Sequence, residues 1–159
     1  MKILKQTTLL LLLVASSVFS QSIKPHTIAI VVSDIEVSEK WYADVLQMQP
    51  FKQMLFPEYD GLKIHFLKND SFRLELMEKN SSFAISKYVE DYDINKSPLI
   101  GFSKIAFSVD DIESEFNRIS NHNVNVFMGI TEDKQFHSKF FIIKDPDGNS
   151  VQFIQDLVD

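Results

Sequence analysis

Thr27-Ile28-Ala29-Ile30-Val31-Val32-Ser33-Asp34-Ile35-Glu36 returns later in the chain as Lys104-Ile105-Ala106-Phe107-Ser108-Val109-Asp110-Asp111-Ile112-Glu113. At this offset of 77, six pairs are identical: Ile28/Ile105, Ala29/Ala106, Val32/Val109, Asp34/Asp111, Ile35/Ile112 and Glu36/Glu113. The closing segments keep the offset, with Glu75-Leu76-Met77-Glu78 falling on Gln152-Phe153-Ile154-Gln155. A repeat that holds from the first strand of each half to the last marks two copies of one supersecondary unit. Two copies imply a pseudo-twofold arrangement, and the seam between them is where a binding site belongs.

Each half reads as strand, helix, then three strands. Thr27 to Ser33 is β-branched and apolar, a strand pattern. Asp34 follows as a helix N-cap, with Glu36 in the first turn, where the helix dipole favours negative charge. Ile35, Trp41, Tyr42, Val45 and Leu46 then recur near helical spacing. Phe51 to Phe56 reads as a second strand ended by Pro57, and Leu62 to Lys68 with Phe72 to Glu78 as a hairpin across Asn69-Asp70-Ser71. The second half repeats the plan: a strand over Lys104 to Val109, a helix from Ile112 to about Asn121, and a strand near Val124 to Gly129. Two more strands, Phe136 to Lys144 and Ser150 to Gln155, flank the turn Asp145-Pro146-Asp147-Gly148-Asn149. Lys79 to Ile100 is polar and irregular, either a linker with a helical turn or a loop closing over the seam.

Successive strand residues face opposite sides of a sheet. Ile28, Ile30, Val32 and Ile105, Phe107, Val109 form a bulky apolar set suited to packing under the helices. Thr27, Ala29, Val31 and Lys104, Ala106, Ser108 form a smaller, more polar set. On the last strands Leu74 and Leu76 pair with Val151 and Phe153 as the bulky face, leaving Arg73, Glu75, Met77 and Ser150, Gln152, Ile154 on the other. Such alternation fits a curved sheet around a cavity and fits an ordinary half-exposed sheet equally well.

The first residues read as a secretory signal peptide over 1–20. Lys2 and Lys5 give a positive start, Leu9 to Val14 an apolar stretch, and Val18 and Ser20 the small-residue pattern of cleavage near Ser20-Gln21. The apolar run falls short of the ~20 residues that span a bilayer. A soluble, exported protein, periplasmic or secreted, is therefore expected, with no membrane association after signal removal. The chain contains no cysteine, so no disulfide supports the fold. Losing Lys2 and Lys5 takes the formal net charge from −6 to −8. An acidic chain without a basic stripe argues against nucleic acid as a partner.

The repeat, the stretch Ser33-Asp34-Ile35-Glu36 followed by Trp41-Tyr42-Ala43-Asp44-Val45-Leu46-Gln47-Met48, and the closing Lys144 to Gln155 together resemble the vicinal oxygen chelate superfamily, which includes glyoxalases, bleomycin-resistance proteins and extradiol dioxygenases. The resemblance covers about Pro25 to Leu157. It implies an α+β fold of two βαβββ modules in pseudo-twofold arrangement, forming a curved sheet around a shared pocket. The expected organisation is one domain over 21–159, with module one about 25–79, a linker about 80–101 and module two about 102–157.

Metal-dependent members of that family place ligands at the start of the first strand and on the last strand of each module. Here those positions hold Thr27, Glu75, Lys104 and Gln152, where the family pattern is His or carboxylate. Only Glu75 matches. An ammonium has no lone pair to donate and repels a divalent cation, and a neutral amide is a poor substitute for a carboxylate. No metal or other cofactor is therefore expected, unless His26 or another histidine supplies ligands. His26 lies one residue early, on the opposite strand face unless the strand carries a bulge. His65 and His137 fall on the third strands of their modules, and His122 near the end of the second helix.

The expected pocket is lined by Thr27, Arg73, Glu75, Met77, Lys104, Ala106 and Gln152. Lys104 is expected to pair with Glu75 across the seam in place of a metal, or else to reach solvent. Three functions fit. The first is metal-independent binding of a small organic molecule, as in the antibiotic-sequestering members. The second is a glyoxalase-type lyase or isomerase with Glu75 as proton-transfer base and Lys104 stabilising an oxyanion. The third is a non-catalytic interaction module. Family members of this size often pair as dimers, sometimes by exchanging modules, which makes a homodimer an option here.

Overall fold

The computed structural model describes residues 25–93 and 96–157, so the expected signal peptide lies outside the described residues. Among the described residues no helix is long and apolar enough to cross a membrane. Module one comprises β1 (Thr27–Val31), α1 (Ile35–Val45), β2 (Gln49–Phe56), β3 (Leu62–Lys68) and β4 (Arg73–Glu78). A single 3-10 turn, Ile85–Lys87, marks the connection. Module two comprises β5 (Lys104–Ser108), α2 (Ile112–Ser120), β6 (Asn125–Asp133), β7 (Ser138–Lys144) and β8 (Ser150–Asp156).

The strands form two separate four-stranded sheets, β1-β4-β3-β2 and β5-β8-β7-β6. Within each, the first strand runs parallel to the last and the remaining pairs are antiparallel. This is the βαβββ plan twice over. The repeat is also slightly out of step: β3 and β7 stand 76 residues apart, whereas β1/β5 and β4/β8 stand 77 apart. The stretch from the start of the helix to the second strand is one residue shorter in module two, and the last turn one residue longer, so Lys68 aligns with Lys144 while Arg73 aligns with Ser150.

The repeated acids have a shared task at the helix starts. Asp34 Oδ1 accepts from Glu36 N at 3.1 Å and Val37 N at 3.0 Å, and Asp111 accepts from Ser114 N at 3.0 Å. The end of the last strand completes each cap, with Ile35 N donating to Glu78 Oε2 at 2.8 Å and Ile112 N to Gln155 Oε1 at 3.0 Å. Three orphan amides are thereby satisfied in α1 and two in α2, and the bond from the last strand ties each helix to its own sheet. Lys63 pairs with Glu78 at 2.7 Å, and that contact together with the Ile35 amide holds the Glu78 carboxyl below its ordinary range against a partial desolvation penalty.

Each helix covers the bulky face of its sheet, as the alternation predicts. Ile35, Tyr42 and Val45 meet Leu67, Leu74 and Leu76, while Ile112 and Ile119 meet Phe141, Ile143, Val151 and Phe153, in one continuous core. Phe141 stacks on Phe153 at 4.8 Å and meets the edge of Phe116 at 5.0 Å.

The modules are joined by polar ties. Asp145, buried in the turn after β7, accepts from Tyr42 Oη at 2.8 Å, Asp147 N at 3.0 Å, Asn149 N at 2.7 Å and Asn149 Nδ2 at 2.8 Å. Asp147 in turn accepts from Ser33 N at 3.1 Å. From the other side, Arg118 on α2 donates to the carbonyls of Asp44 and Val45, at 3.2 and 2.6 Å. Those carbonyls end α1, where a cation suits the helix dipole.

Burial first, and then the negative charge of Asp145, hold the Tyr42 hydroxyl far above its ordinary pKa of 10.0. The unfolded chain therefore loses this proton first as pH rises. The stability contributed by the group is whole below pH 10 and falls above it, by about 1.4 kcal/mol per pH unit. Urea melts between pH 9 and 12 should show this slope, and Tyr42→Phe should remove that part of it.

Candidate functional site

The inner face of each sheet, turned away from its helix, is set by register. In module one a row of facing residues runs Gln49, Lys68, Arg73, Thr27, and the next runs Lys52, Phe66, Glu75, Ala29. In module two the matching rows are Asn125, Lys144, Ser150, Lys104 and Met128, Ile142, Gln152, Ala106. The residues expected to line a pocket thus share the inner faces of their own modules: Thr27, Arg73, Glu75 and Met77 on one sheet, Lys104, Ala106 and Gln152 on the other.

Between the modules lies a crevice of about 600 Å³. Of the seven expected residues, Thr27 and Ala106 line it; Arg73, Glu75, Met77, Lys104 and Gln152 do not. Its walls come instead from the bulky side of the strands. Ile28, Phe72, Ile105, Phe107 and Phe153 supply apolar surface, and the ends of the helices contribute Leu46 and the Glu115–Arg118 ion pair. Phe72 and Phe107, one from each module, meet at 5.2 Å. Alternation correctly separated these residues from the polar set. It could not tell that packing beneath the helices leaves a gap where the two modules meet.

Among the described residues no ion pair joins Lys104 to Glu75 within the chain. The expected Lys104–Glu75 pairing is therefore absent from the protomer, because Glu75 sits on β4 inside one sheet and Lys104 on β5, the edge of the other. Glu75 is half-buried and Lys104 exposed. Gln152 is buried, and its side-chain oxygen has no hydrogen-bond partner.

At the four positions where the resemblance places metal ligands, the residues are Thr27, Glu75, Lys104 and Gln152. One carboxylate and one neutral amide stand with the Lys104 ammonium, and Thr27 faces the Arg73 guanidinium across the ladder. His26 does not join them. The β1–β4 register runs unbroken from Thr27 to Val31, so no bulge turns His26 inward. Its Nδ1 is 2.6 Å from Thr27 Oγ1, and its Nε2 is 3.4 Å from Arg73 Nη1, where the guanidinium repels a cation. His137 lies in the turn before β7 with φ 47°, not on the strand where it was expected. His122 follows the end of α2, its amide bonded to Ile119 O.

His65 is on β3 as expected but faces α1 and is buried. Its Nδ1 is 2.8 Å from Glu39 Oε2, with Glu36 beyond at 3.9 Å from Nε2 and Gln53 Nε2 at 3.3 Å from Glu39. Glu36, Glu39 and His65 form the one group of metal-ligating side chains that comes together among the described residues, and it lies on the opposite side of the sheet from Glu75. In module two the same location is apolar. Phe116 replaces Glu39 and Phe141 replaces His65, the histidine facing Leu76 as Phe141 faces Phe153. The fold therefore accepts either pair. Glu39→Ala, which strands a buried imidazole, should cost about 1–3 kcal/mol. Glu39→Phe/His65→Phe should be neutral or stabilising, since apolar packing often replaces a buried polar pair without loss. Thermal melts of the two variants distinguish these outcomes.

A feature that strand alternation missed is a bulge at the same place in both sheets. The register shifts between Pro50 and Lys52 and between Val126 and Met128, leaving Phe51 and Phe127 as extra residues. An added residue bends the strand and re-aims its side chain. Lys68 Nζ lies 5.3 Å from the Phe51 ring centre and Lys144 Nζ 4.7 Å from that of Phe127.

The family model described as Glyoxalase/Bleomycin resistance protein/Dioxygenase superfamily matches residues 24–153. The uncharacterized protein YaeR of Escherichia coli (strain K12) is 28% identical over 123 residues, 77% of this chain and 88% of that protein. Among solved structures, a glyoxalase family protein from Enterococcus faecalis superposes with a TM-score of 0.68 at 21% identity, over 86% of this chain and 98% of that one. Glyoxalase I from Zea mays superposes with a TM-score of 0.65 at 20% identity, over 85% of this chain and 45% of that one. At these identities the structural likeness speaks for the fold.

Proposed function

The chain belongs to the Glyoxalase/Bleomycin resistance protein/Dioxygenase superfamily, and we propose that within it this protein is an exported binding protein for a small organic molecule, held between its modules without a metal at the family ligand positions. The observation that carries this reading is the crevice of about 600 Å³, its exposed wall mostly apolar and drawn from both modules, with polar side chains such as His26, Asn69 and the Glu115–Arg118 pair at its margins. Such a site suits a small ligand, whose apolar body is buried while sparse polar groups orient it. The residues at the four family ligand positions support the metal-free part. Without a chelating set, the chain has no built Lewis acid there to polarise a substrate.

A thermal-shift screen of small organic molecules tests the reading. Binding should raise Tm without turnover, and Ala106→Trp, which fills the crevice from an exposed strand position, should abolish the response while leaving the unliganded Tm near wild type. A response that survives Ala106→Trp would place the ligand elsewhere. Elemental analysis after incubation with Zn, Ni, Mn and Fe(II) salts tests the metal-free part, with no stoichiometric ion expected to depend on Glu75. An ion lost in Glu75→Ala would overturn it.

A second reading is favoured by one residue. Glu75 keeps the family's carboxylate at a half-buried inner-face position, where it would serve a glyoxalase-type lyase or isomerase as base, with Lys104 stabilising negative charge. In that case Glu75→Gln abolishes turnover while the fold persists. A homodimer is the assembly that would bring a Glu75 and a Lys104 together, since β1 and β5 are sheet edges and Val31 on β1 is 57% exposed.

A further inference from the structure

We infer that the ligand is an organic anion, its negative group received just beyond the module-one edge of the crevice, where His26 in the crevice wall meets Arg73 and Lys68 lines the adjoining cavity. This rests on the binding reading above and names the chemistry of what is bound.

That place joins the crevice through shared walls. His26 lines the crevice and lies 3.4 Å from Arg73 Nη1. A smaller adjoining cavity shares Gln47 and Asn69 with the crevice and is lined by Lys68. Lys68 and Arg73 face each other across the β3–β4 ladder and approach the same ring, Phe51, at 5.3 and 5.9 Å. Two cationic side chains therefore converge on one half-exposed aromatic ring, with the His26 imidazole beside the second of them.

The convergence is costly as it stands. Like charges so placed repel, and a cation–π contact at an exposed ring returns only about 0.5–1 kcal/mol. The chain has 22 acidic residues against 16 lysines and arginines, so carboxylates are available. Lys40, Lys63, Lys96, Arg118 and Lys139 each have one. Among the described residues neither Lys68 nor Arg73 does, and although Lys52, Lys79, Lys87, Lys104, Lys134 and Lys144 also lack one, only Lys68 and Arg73 approach one and the same ring. Asp70, in the adjacent turn, lines the smaller cavity but forms no ion pair with either.

Module two shows what the fold alone requires. There the bulge phenylalanine, Phe127, carries one lysine, Lys144, whose amine is also bonded to Ser150 Oγ at 2.9 Å. Ser150 is the counterpart of Arg73. The fold asks for a lysine over the ring; the guanidinium and the imidazole are additions of module one, on the side where the crevice opens. A planar guanidinium with an ammonium beside it is suited to a carboxylate or a phosphate. The apolar body of the same molecule would lie along Ile28, Phe72 and Phe107.

Isothermal titration calorimetry with 2-naphthoate and its neutral analogue 2-naphthylmethanol tests this on the mature chain. The naphthoate should bind at least tenfold more tightly in low salt and lose most of that advantage in 0.5 M NaCl, where charges are screened within a few ångströms. Lys68→Gln/Arg73→Gln should bring the naphthoate down to the affinity of the alcohol and leave the alcohol unchanged. Lys144→Gln should alter neither by more than twofold. Equal affinity for both probes, or a naphthoate affinity indifferent to Lys68→Gln/Arg73→Gln, would overturn the anion inference while leaving the binding reading intact. Failure of both probes to bind at millimolar concentration would also overturn it, and the crevice itself is then judged separately by the Ala106→Trp thermal-shift comparison.

Discussion

Asp145→Ala is expected to destabilise the protein by at least about 1.5–3 kcal/mol, the worth of a hydrogen bond to a charged group, because several such bonds are lost together. The carboxylate is 5% exposed and accepts four hydrogen bonds, three from its own turn and one from Tyr42 of the other module. Its loss leaves the buried Tyr42 hydroxyl without a partner, and the amides of Asp147 and Asn149 in the exposed turn without their acceptor. Urea melts measure the cost. Tyr42→Phe, which removes only the inter-module bond, should cost about 1–2 kcal/mol. If the two variants were equally stable, the turn would not depend on the carboxylate. The turn contains Gly148 at φ 86°, a conformation that side chains other than glycine's adopt reluctantly. The carboxylate's bonds to Asp147 and Asn149 therefore also hold a backbone shape that the unfolded chain rarely visits.

Arg118→Met should cost about 2–3 kcal/mol and loosen the crevice from the opposite side. The guanidinium makes a two-point contact with Glu115, at 2.8 and 2.6 Å, and caps the last carbonyls of α1. Hydrogen bonds to charged groups are worth about 1.5–3 kcal/mol each when partly buried, and methionine keeps most of the packing volume. A double-mutant cycle with Glu115→Gln separates the ion pair from the cap. If Glu115→Gln cost as much as Arg118→Met, the inter-module bonds would contribute nothing. Because Glu115 and Arg118 both line the crevice, either variant should also weaken ligand binding, whereas Asp145→Ala acts mainly on stability.

Much of the fold was legible from residue pattern, for identifiable reasons. The six identities at offset 77 include Asp34/Asp111, and the structure makes these the N-caps of α1 and α2. Local rules act on such residues, because a capping side chain reaches amides only two or three positions away. The strand alternation likewise separated Leu74, Leu76, Val151 and Phe153, all buried, from their inner-face neighbours. Strand ends were less legible. β2 begins at Gln49 and β6 extends to Asp133, beyond the apolar runs, since edge-strand pairing is backbone chemistry that tolerates polar side chains.

The site was legible only in part. Of the residues expected at a pocket, Thr27 and Ala106 line the crevice wall, whereas Ile28, Phe107 and Phe153, which also line it, were assigned wholly to the core. A period of two says which side of a sheet a residue takes and nothing about how completely that side is covered. The convergence of Lys68 and Arg73 on one ring, with His26 beside Arg73, was likewise invisible. It depends on a one-residue bulge at Phe51 and on parallel pairing of strands nearly fifty residues apart.

By itself, then, the sequence determined two βαβββ modules, their capped helices and their buried faces, and it supplied the expectation that Thr27, Glu75, Lys104 and Gln152 hold no metal. These follow from short-range periodicity, capping chemistry and the electron-pair chemistry of individual side chains. Tertiary structure alone decided that Glu75 and Lys104 stay apart within the chain, that Tyr42 and Asp145 join the modules, and that a crevice opens between them beside three basic groups. Those outcomes depend on how two rigid bodies dock, and docking is governed by shape and by long-range polar contacts that leave no period in the sequence.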